Sequence, residues 1–273
     1  QELGVKIFMG HAASNIGGAD LVVYTAAVKS DNPELVTCEQ YGIPCIERAT
    51  LLGSLMRDYE CSICVAGTHG KTTTTSMLSH VLLAAKKDPT IMLGGELDSI
   101  GGNFRIGREE GYFLTEACEY HCSFLQFFPK VAVITNIEAD HLDFFKDLDQ
   151  IKETFSKFAR LPGADGTVVV CGDDDNAMEC VADTNAKVIS YGLLEQNSIR
   201  PFSLNYRSSY GEFDINYHEE IISVCLNVPG SHNVLNALAC FAVGEAIGLS
   251  GKEIARGLES FTGVHRRFEK KGI

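Results

Sequence analysis

The chain has 273 residues, 45% of them hydrophobic and 22% charged, with a formal net charge of −13. That charge, without any long Lys/Arg block, excludes a surface built to neutralise a nucleic-acid backbone. No apolar run approaches the roughly 20 residues that a membrane-spanning helix needs. A chain of this length can divide into a small and a larger unit.

Residues 1–9 read as the end of a helix entering a strand, as if the sequence began inside a domain. Strand-like runs at 6–9, 21–24 and 44–46 alternate with helical stretches near 33–41 and 50–59, the rhythm of a parallel α/β unit covering residues 1–60. A second unit, 61–273, opens with an apolar strand at 61–66, a glycine-rich turn, and a helix in which Leu78, Val81, Leu82 and Ala85 recur at helical spacing. Further strands are expected at 112–115, 131–135 and 167–170, with a helix at 148–159 among them. These predict a mainly parallel sheet with helices on both faces. Residues 187–228 change character. Short runs at 187–190, 203–206, 213–217 and 221–226 predict an antiparallel extension of the sheet, and helices at 231–247 and 252–259 close the chain.

The turn after the first central strand is Gly67-Thr68-His69-Gly70-Lys71-Thr72. Between a buried strand and a helix start, such a turn aims backbone N–H groups at phosphate oxygens, and the helix dipole adds partial positive charge. Lys71 then reaches the β- and γ-phosphates, and the Thr72 hydroxyl serves a magnesium ion. The strict phosphate-loop pattern has a further glycine where this chain has Val65, so only the shorter Gly-x-x-Gly-Lys-Thr form is present. The run Thr72-Thr73-Thr74-Thr75 is a poor helix start by propensity, because β-branched residues lose χ1 freedom there. This favours a functional reading of the turn.

In a parallel sheet the carboxyl ends of the strands share one edge, and ligands bind beyond it. Glu116 ends the strand at 112–115 and could hold magnesium at that edge. His141 follows the strand at 131–135, within Thr135-Asn136-Ile137-Glu138-Ala139-Asp140-His141. Ten cysteines in a large chain with a nucleotide loop and no signal-peptide pattern are expected to be reduced cytoplasmic thiols. The pairs Cys61/Cys64 and Cys118/Cys122 resemble metal spacings, but the first lies in a buried strand and no second pair has zinc-like spacing.

Taken together, these residues resemble the Mur ligases, ATP-dependent amide-forming enzymes of bacterial cell-wall synthesis. The resemblance rests on the phosphate loop through Thr73, on Glu116-Ala117-Cys118-Glu119-Tyr120, on Thr135-Asn136-Ile137 with Asp140-His141-Leu142-Asp143, and on His232-Asn233-Val234-Leu235-Asn236. His11-Ala12-Ala13-Ser14-Asn15-Ile16 and Asp31-Asn32-Pro33-Glu34 extend it, less specifically, into the first unit.

The resemblance implies a partial dinucleotide-fold unit for a UDP-sugar at 1–60 and an ATP-binding domain at 61–273. It also implies that the first strand of the family pattern lies before Gln1, that a further domain lies after Ile273, and that this piece alone is not competent. It assigns Gly67, Thr68, His69, Gly70, Lys71, Thr72 and Thr73 to the phosphates; Thr72, Glu116 and His141 to magnesium; Asn136, Asn233 and Asn236 to adenine; and Arg266 or Arg267, of which Arg267 is taken here, to a phosphate. Asn233 and Asn236 lie three apart on one helix face, and their amides offer the donor and acceptor an adenine edge requires.

Within the family, His69, the Glu-Ala-x-Glu stretch and residues 263–269 are most similar to members that join L-alanine to UDP-N-acetylmuramate. The implied partners are ATP, L-alanine and that sugar nucleotide, with no nucleic acid or membrane. The alternatives are a sister ligase acting on a peptide or on another carboxylate such as folate, a simple phosphate-loop NTPase or kinase, and a nucleotide sensor without catalytic activity.

Overall fold

A computed structural model describes residues 4–108 and 110–264. The first unit holds β1 (Val22–Tyr24), α1 (Pro33–Tyr41), β2 (Cys45–Glu47) and α2 (Arg48–Met56). β1 and β2 pair in parallel, Val22 against Cys45. α1 is bounded by local chemistry. The Asn32 side chain accepts from Glu34 N, Pro33 occupies the first turn, and Gly42 closes the helix in the left-handed region. Residues 6–9 form no strand. Ile7, Phe8 and Met9 are exposed, and the run pairs with neither β1 nor β2, so it gains no ladder hydrogen bonds and buries no apolar face.

The larger unit begins with β3 (Cys61–Ala66), α3 (Lys71–Ala84), β4 (Thr90–Leu97), β5 (Gly102–Arg105), β6 (Tyr112–Glu116) and β7 (Val131–Ile134). It continues through α4 (Leu148–Ala159), β8 (Thr167–Cys171), α5 (Asp175–Cys180) and β9 (Lys187–Tyr191). Then follow β10 (Pro201–Arg207), β11 (Tyr210–Tyr217), β12 (Glu220–Pro229), α6 (His232–Ile247) and α7 (Gly251–Ser260).

Seven strands form one sheet in the order β5-β4-β6-β3-β7-β8-β9, parallel throughout except for β5, which runs antiparallel to β4. The central strands read as continuous apolar runs because both faces are covered. Ile63, Val65, Val131 and Val133 pack with α3, α6 and α7 on one face, while Cys64, Ala66, Ala132 and Ile134 pack with α4 and α5 on the other.

The run at 187–190 belongs to this sheet, where β9 pairs in parallel with β8 and buries Ile189 and Tyr191 on the same face as Val169 and Cys171. β10, β11 and β12 make a separate antiparallel sheet rather than an extension of the large one. Its alternation is one-sided, so that Phe213, Ile215, Tyr217, Ile222, Val224 and Leu226 join the core against α6. β3 lies between β6 and β7, and the chain supplies strands to one side of it and then to the other. The crevice beyond the carboxyl ends of these three strands is therefore the switch point at which such sheets bind ligands.

Candidate nucleotide site

The loop leaving β3 is held by the end of β7. Gly67 has φ of 138°, and a Cβ there would lie 2.0 Å from Thr135 Oγ1, so the close approach requires glycine. Thr68 N donates to Asn136 O at 2.9 Å, and Glu138 N donates to Thr68 Oγ1 at 2.9 Å. His69 is fixed through its backbone: its N–H donates to Asn136 Oδ1 at 2.8 Å, and its carbonyl accepts from Asn136 Nδ2 at 3.0 Å and Thr135 Oγ1 at 2.6 Å.

Gly70, with φ of 84°, caps α3. The first N–H groups of a helix have no intrahelical acceptor, so those of α3 are available to an anion at the loop. The threonine run has a structural account as well. Thr74, Thr75, Ser76 and Ser79 are fully buried, and three of their hydroxyls donate to carbonyls one turn back: Thr75 to Lys71, Ser76 to Thr72 and Ser79 to Thr75. The fourth, Thr74, donates to Asn236 Oδ1 at 3.1 Å. α3 is thus polar in composition yet satisfied while buried.

Two carboxylates converge on the loop. Glu116, at the end of β6, accepts from Thr72 Oγ1 at 2.9 Å through one oxygen and from Gly94 N at 2.6 Å through the other. Glu119, which sequence reasoning left without a role, is the more deeply placed, with a side chain 3% exposed. Both its oxygens lie 3.2 Å from Lys71 Nζ, which among the described residues also donates to the carbonyls of Gly67 and Thr68. His141 Nε2 lies 3.7 Å from Glu119 Oε1 and 4.0 Å from Asp140 Oδ2, and the three groups offer ligand atoms within 4.8 Å of one another. The backbone bends sharply here, His121, Cys122 and His141 all having φ between 51° and 55°.

Thr72 and Glu116 therefore present the hard oxygen donors that suit magnesium, and Glu119, Asp140 and His141 form a second set with one imidazole. Asn233 and Asn236 lie on the other flank of the loop at the start of α6. Asn236 Nδ2 donates to Asn233 Oδ1, and Asn233 Nδ2 donates to Pro229 O. Thr73, His232 and Asn233 line a narrow cleft with Phe261 and Val264. Asn136 is apart from that cleft, its amide engaged at both ends by His69. Arg266 and Arg267 fall outside the described residues.

A larger cleft of about 360 Å³ runs between the two units, lined by Thr25, Glu47 and Arg48 from the first and by Gly94, Glu116, Cys118 and Tyr120 from the second. All ten cysteines are free thiols, and Cys61 and Cys64 belong to opposite faces of the sheet. No helix among the described residues is long and apolar enough to cross a membrane.

Comparison with known proteins matches residues 65–244 to the Mur ligase middle domain and residues 1–60 to the Mur ligase family catalytic domain. A UDP-N-acetylmuramate–L-alanine ligase of Acetivibrio thermocellus is 52% identical over 276 residues, covering 100% of this chain and 59% of that protein. The protein of the same name from Clostridium botulinum strain Langeland is 50% identical over 274 residues, again covering 100% of this chain and 59% of its own length. The chain thus spans about three-fifths of these curated relatives. Among solved structures, the UDP-N-acetylmuramate-alanine ligase of Thermotoga maritima superposes with a TM-score of 0.82 at 32% identity, over 98% of this chain and 60% of that one. A UDP-N-acetylmuramate:L-alanyl-gamma-D-glutamyl-meso-diaminopimelate ligase of Neisseria meningitides superposes with a TM-score of 0.86 at 26% identity, over 97% and 86%.

Proposed function

Because the chain belongs to the Mur ligase family, we propose that it carries the ATP-handling part of a cytoplasmic ligase that joins L-alanine to UDP-N-acetylmuramate. The observation that carries this reading is the position of Glu116. Its carboxylate accepts from Thr72 of the phosphate loop and also lines the cleft between the two units. A triphosphate in the loop and a carboxylate-bearing sugar nucleotide in the cleft would meet at that residue.

In the proposed reaction the γ-phosphoryl of ATP passes to the substrate carboxylate. The amine of L-alanine then attacks the acyl phosphate, releasing phosphate and forming the amide. No protein nucleophile is required, because the obstacle is the approach of two anions. Lys71 and the α3 N-terminus hold the triphosphate, and Thr72 and Glu116 orient the reacting phosphate. Magnesium, when bound by Thr72 and Glu116, would supply charge neutralisation between the anions. Asn233 and Asn236 are proposed to receive the adenine beside Thr73. In this division of labour residues 1–60 contribute to the sugar-nucleotide site and 61–273 to the ATP site.

The identity of 52% to an L-alanine ligase, against 26% to the peptide-adding neighbour, supports L-alanine as the amine. The test is phosphate release by the protein that carries this sequence. Release that depends on UDP-N-acetylmuramate and L-alanine together supports the assignment. Release with a tripeptide in place of L-alanine would transfer it to the peptide-adding branch. Release without any amine would reduce it to an NTPase.

A further inference from the structure

We propose that Asp174 and Asn176 are positioning residues for the phosphate loop, which they set in place by clamping the backbone of Ile137. This rests on the reading of the loop as a nucleotide site.

After Ile134 the chain leaves the sheet, and residues 135–138 form a strap with no regular secondary structure. That strap holds the loop by its backbone. Thr68 N donates to Asn136 O, the Asn136 amide bonds the His69 backbone at both ends, Thr135 Oγ1 donates to His69 O, and Glu138 N donates to Thr68 Oγ1. The loop is therefore only as well placed as the strap.

A strap outside a ladder needs its own anchor. Ile137 is fully buried in the core on the α4 and α5 face of the sheet, and burial leaves its peptide groups in need of partners. Both come from the start of α5. Ile137 N donates to Asp174 Oδ2 at 3.3 Å, and Asn176 Nδ2 donates to Ile137 O at 2.9 Å.

Asp174 is itself fixed. It is the N-cap of α5, and its Oδ1 accepts from Ala177 N at 2.8 Å. One carboxylate thus caps a helix with one oxygen and holds the strap with the other. Serine caps a helix about as well with a single oxygen, so capping alone does not account for the second bond. Asp173 provides the contrast. Its oxygens accept from Leu193 N, Leu194 N and Asn197 Nδ2, which ties the exit of β9 and not the strap. Asp174 and Asn176 thus act on the phosphates only through Ile137 and the loop contacts of its neighbours.

The test is titration of ATP and of inorganic triphosphate against wild type, Asp174→Ser and Asn176→Asp, with urea midpoints measured on the same samples. Asp174→Ser keeps a cap for Ala177 and drops the acceptor for Ile137. Asn176→Asp suits the first turn of a helix but turns an acceptor toward Ile137 O. Each should weaken both ligands alike, by about three- to tenfold, as for one net hydrogen bond. In an Asn136→Ala background, where the side-chain hold on His69 is already gone, the same substitutions should cost less than about twofold. Asp173→Ser should lower the urea midpoint and leave both affinities at the wild-type level. Asn176→Ala removes the donor without adding charge and replaces Asn176→Asp if that variant does not fold. Wild-type affinity in Asp174→Ser and in the Asn176 variant, whatever their midpoints, would reduce the clamp to a structural tie and overturn the proposal. Losses that persist in full beside Asn136→Ala, or an equal loss in Asp173→Ser, would overturn it too. Failure of the wild type to bind either ligand would overturn the nucleotide reading instead.

Discussion

Replacing Asn136 by alanine separates two roles that one residue could play. The side chain makes two hydrogen bonds to the backbone of His69, at 2.8 and 3.0 Å, and both are partly open to solvent. Thr68 stays bound to the Asn136 carbonyl, which the substitution leaves in place. At the lower half of the usual range for a net hydrogen bond, two such bonds amount to about 1–2 kcal/mol, or roughly a five- to thirty-fold loss of affinity if the loop must reorder before it binds. The loss should appear equally for ATP and for inorganic triphosphate, since the damage is to the phosphate cradle. Isothermal titration with both ligands measures it. If Asn136→Ala weakens ATP while triphosphate binds as before, Asn136 reads the base and the loop-anchor reasoning is wrong.

Gly67→Ala should abolish phosphate binding while the rest of the chain stays folded. Its Cβ would meet Thr135 Oγ1 at 2.0 Å at a φ of 138° that alanine avoids, and circular dichroism beside a nucleotide titration would separate the two effects. His80 packs edge-on to Phe261 and bonds Ser260, and burial holds its pKa below the ordinary 6.5. The fold therefore favours neutral imidazole. Stability present above that pH should be lost as pH falls through 6.5 toward the lowered value, and urea midpoints on either side of it should differ less in His80→Gln.

Much of the scaffold could be read from residues whose local chemistry agrees with their tertiary setting. α1 and α4 match expectation end to end because Asn32, Gly42 and Asp147 mark their boundaries by capping. The apolar run of β3, with glycines on either side of the turn, located the loop. The run at 187–190 misled because a short apolar strand does not declare the direction of its partner. The parallel ladder with β8, Thr167 against Lys187 through Cys171 against Tyr191, settles it.

Residues 6–9 have strand composition, but composition alone does not make a strand, and the run pairs with no strand among the described residues. At the site, Lys71, Thr72 and Glu116 followed from motif and strand-end logic. Glu119 did not, because it lies three residues beyond the end of β6 and its contact with Lys71 joins segments 48 residues apart that no spacing rule relates. Asn136 was expected to contact adenine, and nothing in the sequence indicated that both ends of its amide bond the backbone of His69.

The hydrogen bonds that shape the loop span long stretches of chain: 48 residues from Lys71 to Glu119, 67 from His69 to Asn136 and 162 from Thr74 to Asn236. Closing such loops costs chain entropy before any contact rewards it. The glycine turn therefore precedes in the chain the segments that give it its shape, the end of β7 and the start of α6. A ligand that needs the finished shape adds stability only to the native state. Nucleotide should accordingly slow the unfolding of this domain and leave its rate of folding unchanged, acting as a latch on the completed fold and not as a template for it.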